Sequence, residues 1–356
     1  MATPTDPVQQ LAQQLSYLQN DLSNLQTKVQ LSSPRGALED LNTKILGLPR
    51  TIQNLRDRNY VFEKDLSDRA TNLIALWGTS YNNVRNYLDQ QAFQLTNAIH
   101  PIESQVNYAA SQGGNPQYGL TMIASIKANM QTLDSSASSV ETTALGMYDQ
   151  IKTEFDTLNS HVDKVSWTLD RLGEASFPLL PTEAAIMAVK ANWNRSGKED
   201  KEDPEGILFL TDHRLIFEQN QEVATKKVLF ITTEKKKVQQ LLLEAPVNLF
   251  EDVDTSKGGL FKNEDYINVK LSRGAAVPAA QFHIFGQDCA EWQALLKRAG
   301  DFEFDKDRNV PVDPAAVEKV KAAPTVCPAC GGAITKPVLR GQDTITCEFC
   351  GNIIRL

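Results

Sequence analysis

Two closely spaced pairs of cysteines lie at the end of the chain. Cys327 and Cys330 form one pair and Cys347 and Cys350 the other, in the pattern C-x2-C-x16-C-x2-C. Zinc accepts four soft donors at the corners of a tetrahedron, and each tight CxxC turn can direct two thiolates toward one point. A glycine follows the second cysteine of each pair, where such a turn favours a residue that tolerates a left-handed backbone. The pattern therefore predicts one structural Zn²⁺ ion per chain.

The segment 325–356 that holds these cysteines resembles a zinc ribbon of the rubredoxin-knuckle kind, with a strand at Thr344-Ile345-Thr346. Four protein thiolates close the coordination sphere, so the resemblance implies a structural metal. A module this small buries little apolar surface, whereas structural zinc contributes on the order of 10 kcal/mol to folding. Iron is the rival occupant because tetrahedral thiolate sites suit both ions. A redox or metal-handling function is a weaker interpretation, which a single CxxC would favour.

Residues 182–300 show the period-two pattern of β-strands. Strands are predicted in EAAIMAVKANWNR, in GILFLTDHRLIFEQN around a turn at Thr211-Asp212-His213, and in KKVLFITTE, QQLLLEAPVNLFEDVD, DYINVKLS and AQFHIFG. An amphipathic helix follows from Asp288 to Arg298. Seven short strands closed by one helix predict a small barrel or sandwich.

The run GILFLTDHRLIFE resembles the strand pair of GRAM domains and of the wider pleckstrin-homology (PH) superfold. The helix that carries Trp292 is similar to the helix that plugs the open end of such barrels. The resemblance implies a PH-like module over 182–300 that binds phosphoinositides, other anionic lipids or protein motifs and does not catalyse.

The first loop of this module, SGKEDKEDPEG, departs from the lipid-binding pattern because five acidic residues outnumber its two lysines. The better candidate for binding an anionic membrane surface is the run Lys235, Lys236 and Lys237. Each lysine near such a membrane contributes about 1 kcal/mol to binding. The competing interpretation is a solvated loop or a guarded strand edge. The sequence therefore predicts weak peripheral membrane contact at most.

Residues 1–175 have the apolar spacing of long helices. Leucines and valines recur every three or four residues from Val8 to Val29, which is typical of a coiled-coil seam. Breaks are expected at Ser32–Gly36 and at Pro49, with a kink at Pro101 and a hairpin loop over 111–119. The spacing from Met122 to Leu172 predicts one helix of about fifty residues, about 80 Å long.

This seam must pack against another helix, from a second copy or from the same chain. The strict heptads favour self-association through the first sixty residues, or docking of a protein partner. An intramolecular bundle remains the alternative. Residues 301–324 are charged and contain proline and alanine, which predicts a linker with a short helix near 314–322.

Composition restricts the function classes. The 356-residue chain has a net charge of −8, which disfavours a whole-chain nucleic-acid binder. The sequence has no secretory leader pattern and no apolar run of about eighteen residues. Cys289 is the only cysteine outside the two pairs and is predicted to be a buried, inert thiol. We therefore expect a cytoplasmic protein, peripheral to a membrane if it contacts one.

The motifs together favour a scaffold or adaptor. No nucleotide-binding glycine loop, HExxH or GxSxG motif occurs, so no enzymatic activity is expected. The alternative is a nucleic-acid-associated zinc-ribbon protein. Against it, the ribbon offers only Lys336, Arg340 and Arg355, opposed by Asp343 and Glu348.

Overall fold

The computed structural model describes residues 6–195, 200, 202–228 and 231–356, and the side chains of 223–228 and 231–236 lie outside the described part. The chain forms two compact units. The first consists of Met1–Pro49 and Asp68–Asn159, and the second of Arg50–Ser67 and Ser160–Leu356. The helices of the region 1–175 are thus divided between the units.

Five helices precede the sheet: α1 (Pro7–Lys28), α2 (Ser32–Asp57), α3 (Leu66–Ala110), α4 (Pro116–Gly146) and α5 (Asp149–Glu174). Proline starts α1 and α4, where its missing N–H has no helical partner to lose. The hairpin connection expected over 111–119 is present and contains a short 3-10 helix at Ser111–Gly114. The break expected at Ser32–Gly36 lies earlier, between Lys28 and Ser32, because α2 begins at Ser32 and includes Pro34 in its first turn. Among the described residues, no helix is both long enough and apolar enough to cross a membrane.

The first unit is a helical bundle. Helix α1 packs against α4, and an ion pair of 2.6 Å joins Lys28 to Asp134. Helix α3 lies along α2, where Trp77 Nε1 donates a hydrogen bond of 2.9 Å to Asn42 Oδ1. In the predicted seam, Leu11, Leu18 and Leu25 are buried within the chain, while Val8 is 50% exposed. The intramolecular alternative therefore accounts for these leucines.

Two further expectations for the helices were wrong. Helix α2 continues through Pro49 to Asp57, although proline was expected to end it. The predicted fifty-residue helix is interrupted between α4 and α5, at Met147 and Tyr148. Gly146 weakens the end of α4, and the interruption buries Tyr148 against Trp77, with the ring centroids 5.8 Å apart.

The second unit contains a seven-stranded antiparallel sheet. Its strands are β1 (Ala185–Trp193), β2 (Glu205–Thr211), β3 (Arg214–Val228), β4 (Ile231–Pro246), β5 (Phe250–Gly258), β6 (Glu264–Leu271) and β7 (Ala279–Phe285). They are ordered β4-β3-β2-β1-β7-β6-β5, so β1 joins a four-stranded meander to a three-stranded one. Helix α6 (Cys289–Gly300) follows and contacts β5 and β6.

Aromatic side chains fill the interior of this module. Trp193, Phe217 and Phe282 contact one another with ring centroids 5.5 to 6.3 Å apart. Trp292 of α6 is fully buried, and its Nε1 donates to Gln287 Oε1 at 2.7 Å. The structure confirms the predicted α + β class, with a helical region, a PH-like sheet capped by a C-terminal helix, and a small cysteine-bearing tail.

The first residues after α6 pack against Val61 and Phe62, and the later residues connect to the tail. A short 3-10 helix spans Glu303–Asp307, and Phe304 within it is buried against Phe62 at 5.5 Å. The N–H of Asn309 donates to the carbonyl of Val61 at 2.8 Å. Helix α7 (Pro314–Lys321) then leads to the tail, whose strands β8 (Thr344–Thr346) and β9 (Ile353–Arg355) pair antiparallel. The segment predicted as a linker is therefore packed over its first nine residues.

Candidate metal centre

Two similar turns position the four cysteines. Gly331 N–H donates to the carbonyl of Cys327 at 2.9 Å, and Gly351 N–H donates to that of Cys347 at 3.0 Å. Both glycines have left-handed φ angles, +74° and +73°, which glycine adopts without the steric penalty of a Cβ. Each turn therefore points two thiols inward from a short loop, as the spacing predicted.

The sulfur positions fit a tetrahedral metal ion. All four Sγ atoms lie within 4.8 Å of one another. Cys327 Sγ lies 3.8 Å from Cys350 Sγ, and Cys330 Sγ lies 3.7 Å from Cys347 Sγ. Metal–sulfur bonds of about 2.3 Å in a regular tetrahedron place the sulfurs about 3.8 Å apart. A disulfide would bring them to about 2.0 Å, so these are free thiols in a metal-binding arrangement.

Burial and backbone donors differ among the thiols. Cys327 and Cys347 are buried with Ile354, and Ile334 and Ile345 pack against them. The N–H of Cys330 donates to the Cys327 thiolate and lowers its pKa to about 6. The N–H of Phe349 lies 3.4 Å from the sulfur of Cys347. The Gly332 N–H lowers the pKa of Cys330, but side-chain hydrogen bonds with Cys350 and Cys347 raise it overall. The ionised thiolate is the form that binds a metal.

Arg340 anchors this tail to the PH-like module. Its Nη1 and Nη2 donate to the two carboxylate oxygens of Asp305 at 2.9 and 2.8 Å, and Nη2 also donates to Asp212 at 3.2 Å. Its Nε donates to Nε2 of His213 at 3.2 Å. The guanidinium thus joins the ribbon to the β2–β3 turn and to the segment after α6. The side chain is 10% exposed, so solvent screens these contacts little.

Asp212 is the centre of this charge cluster. It accepts a hydrogen bond from Ala184 N–H at 2.9 Å, and Arg308 donates to it at 2.5 Å. Burial raises the pKa of Asp212 to about 6, against the lowering effect of the Ala184 hydrogen bond and of both arginines. The carboxylate is therefore ionised at neutral pH but depends on Arg308 and Arg340 for compensation.

His213 is held neutral beside the same arginine. Burial, followed by the charges of Arg340, Arg214 and Arg308, lowers the pKa of His213 to about 3. The neutral ring can accept the Arg340 hydrogen bond at Nε2, which a protonated ring could not do. This histidine therefore serves the anchoring contact of Arg340.

The backbone next to Arg340 lies close to the segment that precedes β1. Gly341 has a φ of +82°, and a Cβ there would lie 3.1 Å from Pro181 Cδ and from Thr182 Oγ1. Only glycine fits this contact without a shift of the neighbouring chain. The arginine and its cluster partners come from three distant segments, so sequence reasoning missed them. The Arg340-Gly341 pair in an otherwise weakly basic ribbon was the one local signal.

The predicted lysine run lies in an edge strand. The backbone of Lys235, Lys236 and Lys237 pairs with residues 222–224 of β3, and β4 is the terminal strand of the sheet. Lys237 is exposed, whereas the side chains of Lys235 and Lys236 lie outside the described residues. The run is part of a long hairpin rather than a loop between shorter strands.

A second group of potential metal ligands forms ion pairs with a lysine. Asp265, Asp288 and Cys289 bring their ligand atoms within 4.8 Å of one another. Lys257 pairs with both carboxylates, at 2.8 Å in the case of Asp288. Burial raises the pKa of the Cys289 thiol, which keeps it protonated. The prediction that Cys289 is buried holds, and the group acts as an ion-paired brace between β5, β6 and α6.

Comparisons with known proteins add little beyond these observations. No family model matches the chain, and no curated protein matches it. The N-terminal PH domain of Vps36 is 15% identical, over 35% of this chain and 83% of that domain, with a TM-score of 0.25. The DH/PH domains of PDZ-RhoGEF, from a complex with activated RhoA, are 14% identical, over 85% of this chain and 95% of that one, with a TM-score of 0.25.

A third similar structure is the C-terminal domain of an unknown protein from Leishmania infantum. It is 17% identical, over 37% of this chain and 92% of that one, with a TM-score of 0.20. Scores of this size carry no argument. The PH-like description therefore rests on the strand order, the filled sheet interior and the capping helix.

Proposed function

We propose that the protein is a non-enzymatic adaptor that recognises a protein or a membrane surface through its PH-like module. The observation that carries the proposal is a closed four-thiol site anchored by Arg340 to that module. A centre with four protein thiolates leaves no open position for substrate, so its role is structural. Because aromatic side chains fill the sheet interior, recognition uses the outer surface of the module.

We propose one zinc ion per chain, bound by Cys327, Cys330, Cys347 and Cys350. In the fold the metal connects two turns whose buried apolar cluster is otherwise small. A reducing compartment such as the cytoplasm would keep the thiols available for the metal. Protein purified without added zinc should contain one zinc atom per chain and four thiols that are protected from titration. Metal-free protein with two disulfides, or stoichiometric iron, would contradict this assignment.

The nucleic-acid alternative is the less favoured function. Arg340 of the ribbon is bound to acidic residues of the module, and Lys336 lies 3.4 Å from Glu348. Binding to phosphates needs cations that are available to the ligand. A salt-dependent mobility shift of the full chain on mixed DNA or RNA would favour the alternative and count against the adaptor.

For recognition of a membrane surface, we propose that the lysine run in β4 contacts anionic lipid headgroups. Charge reversal of Lys235, Lys236 and Lys237 to glutamate should lower the fraction that sediments with phosphatidylserine-containing vesicles to the fraction that sediments with phosphatidylcholine alone. Reversal of Lys319 and Lys321 in α7 serves as a control because it changes charge on a different element. Unchanged sedimentation of the β4 variant would refute the use of these lysines.

The helical bundle is proposed as the part that docks a protein partner, and self-association is the competing use. Leu18 is fully buried within the chain, so Leu18→Ala should lower the free energy of unfolding by about 2–5 kcal/mol. Partly exposed Leu22 is the matched control and should cost less. An unfolding midpoint that rises with protein concentration, together with sedimentation as a dimer, would instead support self-association.

A further inference from the structure

The turn between β5 and β6 carries two adjacent apolar residues at its apex. Leu260 is 91% exposed and Phe261 is 83% exposed, and within the described part of the chain no other large apolar side chain is as exposed. Single exposed apolar residues are common on soluble proteins. An adjacent aliphatic and aromatic pair that projects from a hairpin tip is different, because such exposure marks an interaction site.

The hairpin holds this pair outward without help from a partner. Lys262 N–H donates to the carbonyl of Gly259 at 3.2 Å, which closes a β-turn with Leu260 and Phe261 at its corners. The φ of Gly259 is +77°. Below the turn, the Tyr266 ring lies so close to Gly258 that a Cβ there would be 2.6 Å from Cε2. The apex is therefore braced before any binding event.

The polar side chains at the base of the same hairpin pair with one another. Lys257 pairs with Asp265 and with Asp288, and Glu264 accepts a hydrogen bond of 3.0 Å from Tyr266. A specific protein interface buries about 800 Å² on each partner, which two side chains alone cannot supply.

A lipid bilayer can bind a small apolar projection such as this hairpin apex. Its interfacial region needs no complementary surface, and apolar side chains can enter the acyl boundary while a polar base stays at the headgroups. We propose that Leu260 and Phe261 form a wedge that inserts into the interfacial region of a bilayer. The proposal rests on the proposed adaptor function and specifies how the PH-like module meets a membrane. Because both side chains of the wedge are apolar, its insertion does not require anionic lipid.

The test uses the full zinc-loaded chain and vesicles of phosphatidylcholine alone. The double variant Leu260→Ser, Phe261→Ser should lower the vesicle-bound fraction at limiting lipid by about tenfold or more, because two buried apolar side chains are lost. The matched control is Phe93→Ser, which removes an aromatic side chain that is 70% exposed on α3. It should bind as the wild type does. Zinc content and the unfolding midpoint should stay unchanged in both variants.

A second measurement reports insertion directly. The fluorescence of a Phe261→Trp variant, after subtraction of the wild-type signal, should shift to shorter wavelength with vesicles and be quenched by brominated lipid. Equal binding of the serine double variant, or an unshifted spectrum, would overturn the wedge. Failure of the wild-type chain to bind phosphatidylcholine would also overturn it. The zinc stoichiometry is measured separately, so that result would leave the structural-zinc proposal standing.

Discussion

The PH-like sheet and the ribbon of the same unit are stabilised by different means. The sheet buries a cluster of aromatic side chains, including Phe217, Phe282 and Trp292, each with no exposed surface. In the ribbon the buried cluster consists of Cys327, Cys347 and Ile354. Apolar burial suffices for a module of about a hundred residues, whereas a thirty-residue module needs a metal or another staple. The difference predicts that the ribbon depends on the proposed metal and on the Arg340 anchor rather than on apolar burial.

The largest effect should come from removal of one thiolate. Cys347→Ser leaves three soft donors and one poor hydroxyl donor, so the ribbon should lose its metal and unfold, with a loss on the order of 10 kcal/mol of apparent metal-binding energy. Metal analysis and thiol titration measure this. The module should keep its strands but melt at a lower temperature, since Arg340 no longer compensates Asp212. A ribbon that stays folded without metal would break the comparison.

The sheet should instead respond to loss of apolar volume. Trp292→Ala should lower the free energy of unfolding by about 3–5 kcal/mol, because it leaves a cavity where α6 closes the module. Chemical denaturation followed by circular dichroism measures the change. One bound zinc per chain should be retained in the folded variant. If zinc were lost at the same rate as the sheet unfolds, zinc binding would depend on the folded sheet, which contradicts the comparison.

The anchor should have an intermediate, pH-dependent effect. Arg340→Ala should cost about 2 kcal/mol near neutral pH, because Asp212 keeps Arg308 and the Ala184 N–H but loses one charged partner. Arg340→Lys is the control that retains the charge but loses the forked hydrogen bonds. Thermal unfolding of the zinc-loaded protein provides the measurement.

The sign of the pH dependence follows from Asp212. Its pKa in the folded chain, about 6, lies above the ordinary value of 3.8, so the folded state holds its proton more tightly than the unfolded state. Ionisation of Asp212 therefore lowers stability as pH rises from about 4 to about 6. Loss of Arg340 raises this pKa further, so the destabilisation of the variant should be smaller near pH 5, where the Asp305 and His213 contacts are still lost, and larger above pH 6, where the charge pair with Asp212 is lost as well. A larger difference at pH 5 would contradict the role given to Asp212.

Surface charges on the ribbon should matter least. Lys336 is 67% exposed where it meets Glu348, and exposed ion pairs contribute about 0–1 kcal/mol. Lys336→Ala should therefore leave zinc stoichiometry and the unfolding midpoint nearly unchanged. A marked loss of either would mean that the ribbon depends on its outer charges as well as on metal and anchor.

Some of this organisation was determined by local sequence alone. The CxxC spacing constrains two thiols to one turn whatever the surrounding fold, and the glycines that follow have the left-handed φ this geometry requires. Period-two and heptad patterns likewise record which face of an element is buried. They were sufficient to predict the helical region, the sheet with its capping helix and the four cysteines as one group.

Tertiary structure decided the rest. A heptad seam is equally compatible with a second chain or with α4 of the same chain, because apolar spacing carries no information on the source of the partner. The contacts of Arg340 with Asp212 and Asp305 join residues that are far apart in sequence. No local pattern encodes such a pairing. It exists because the fold brings three segments together at a buried carboxylate, where an unpaired charge would be costly.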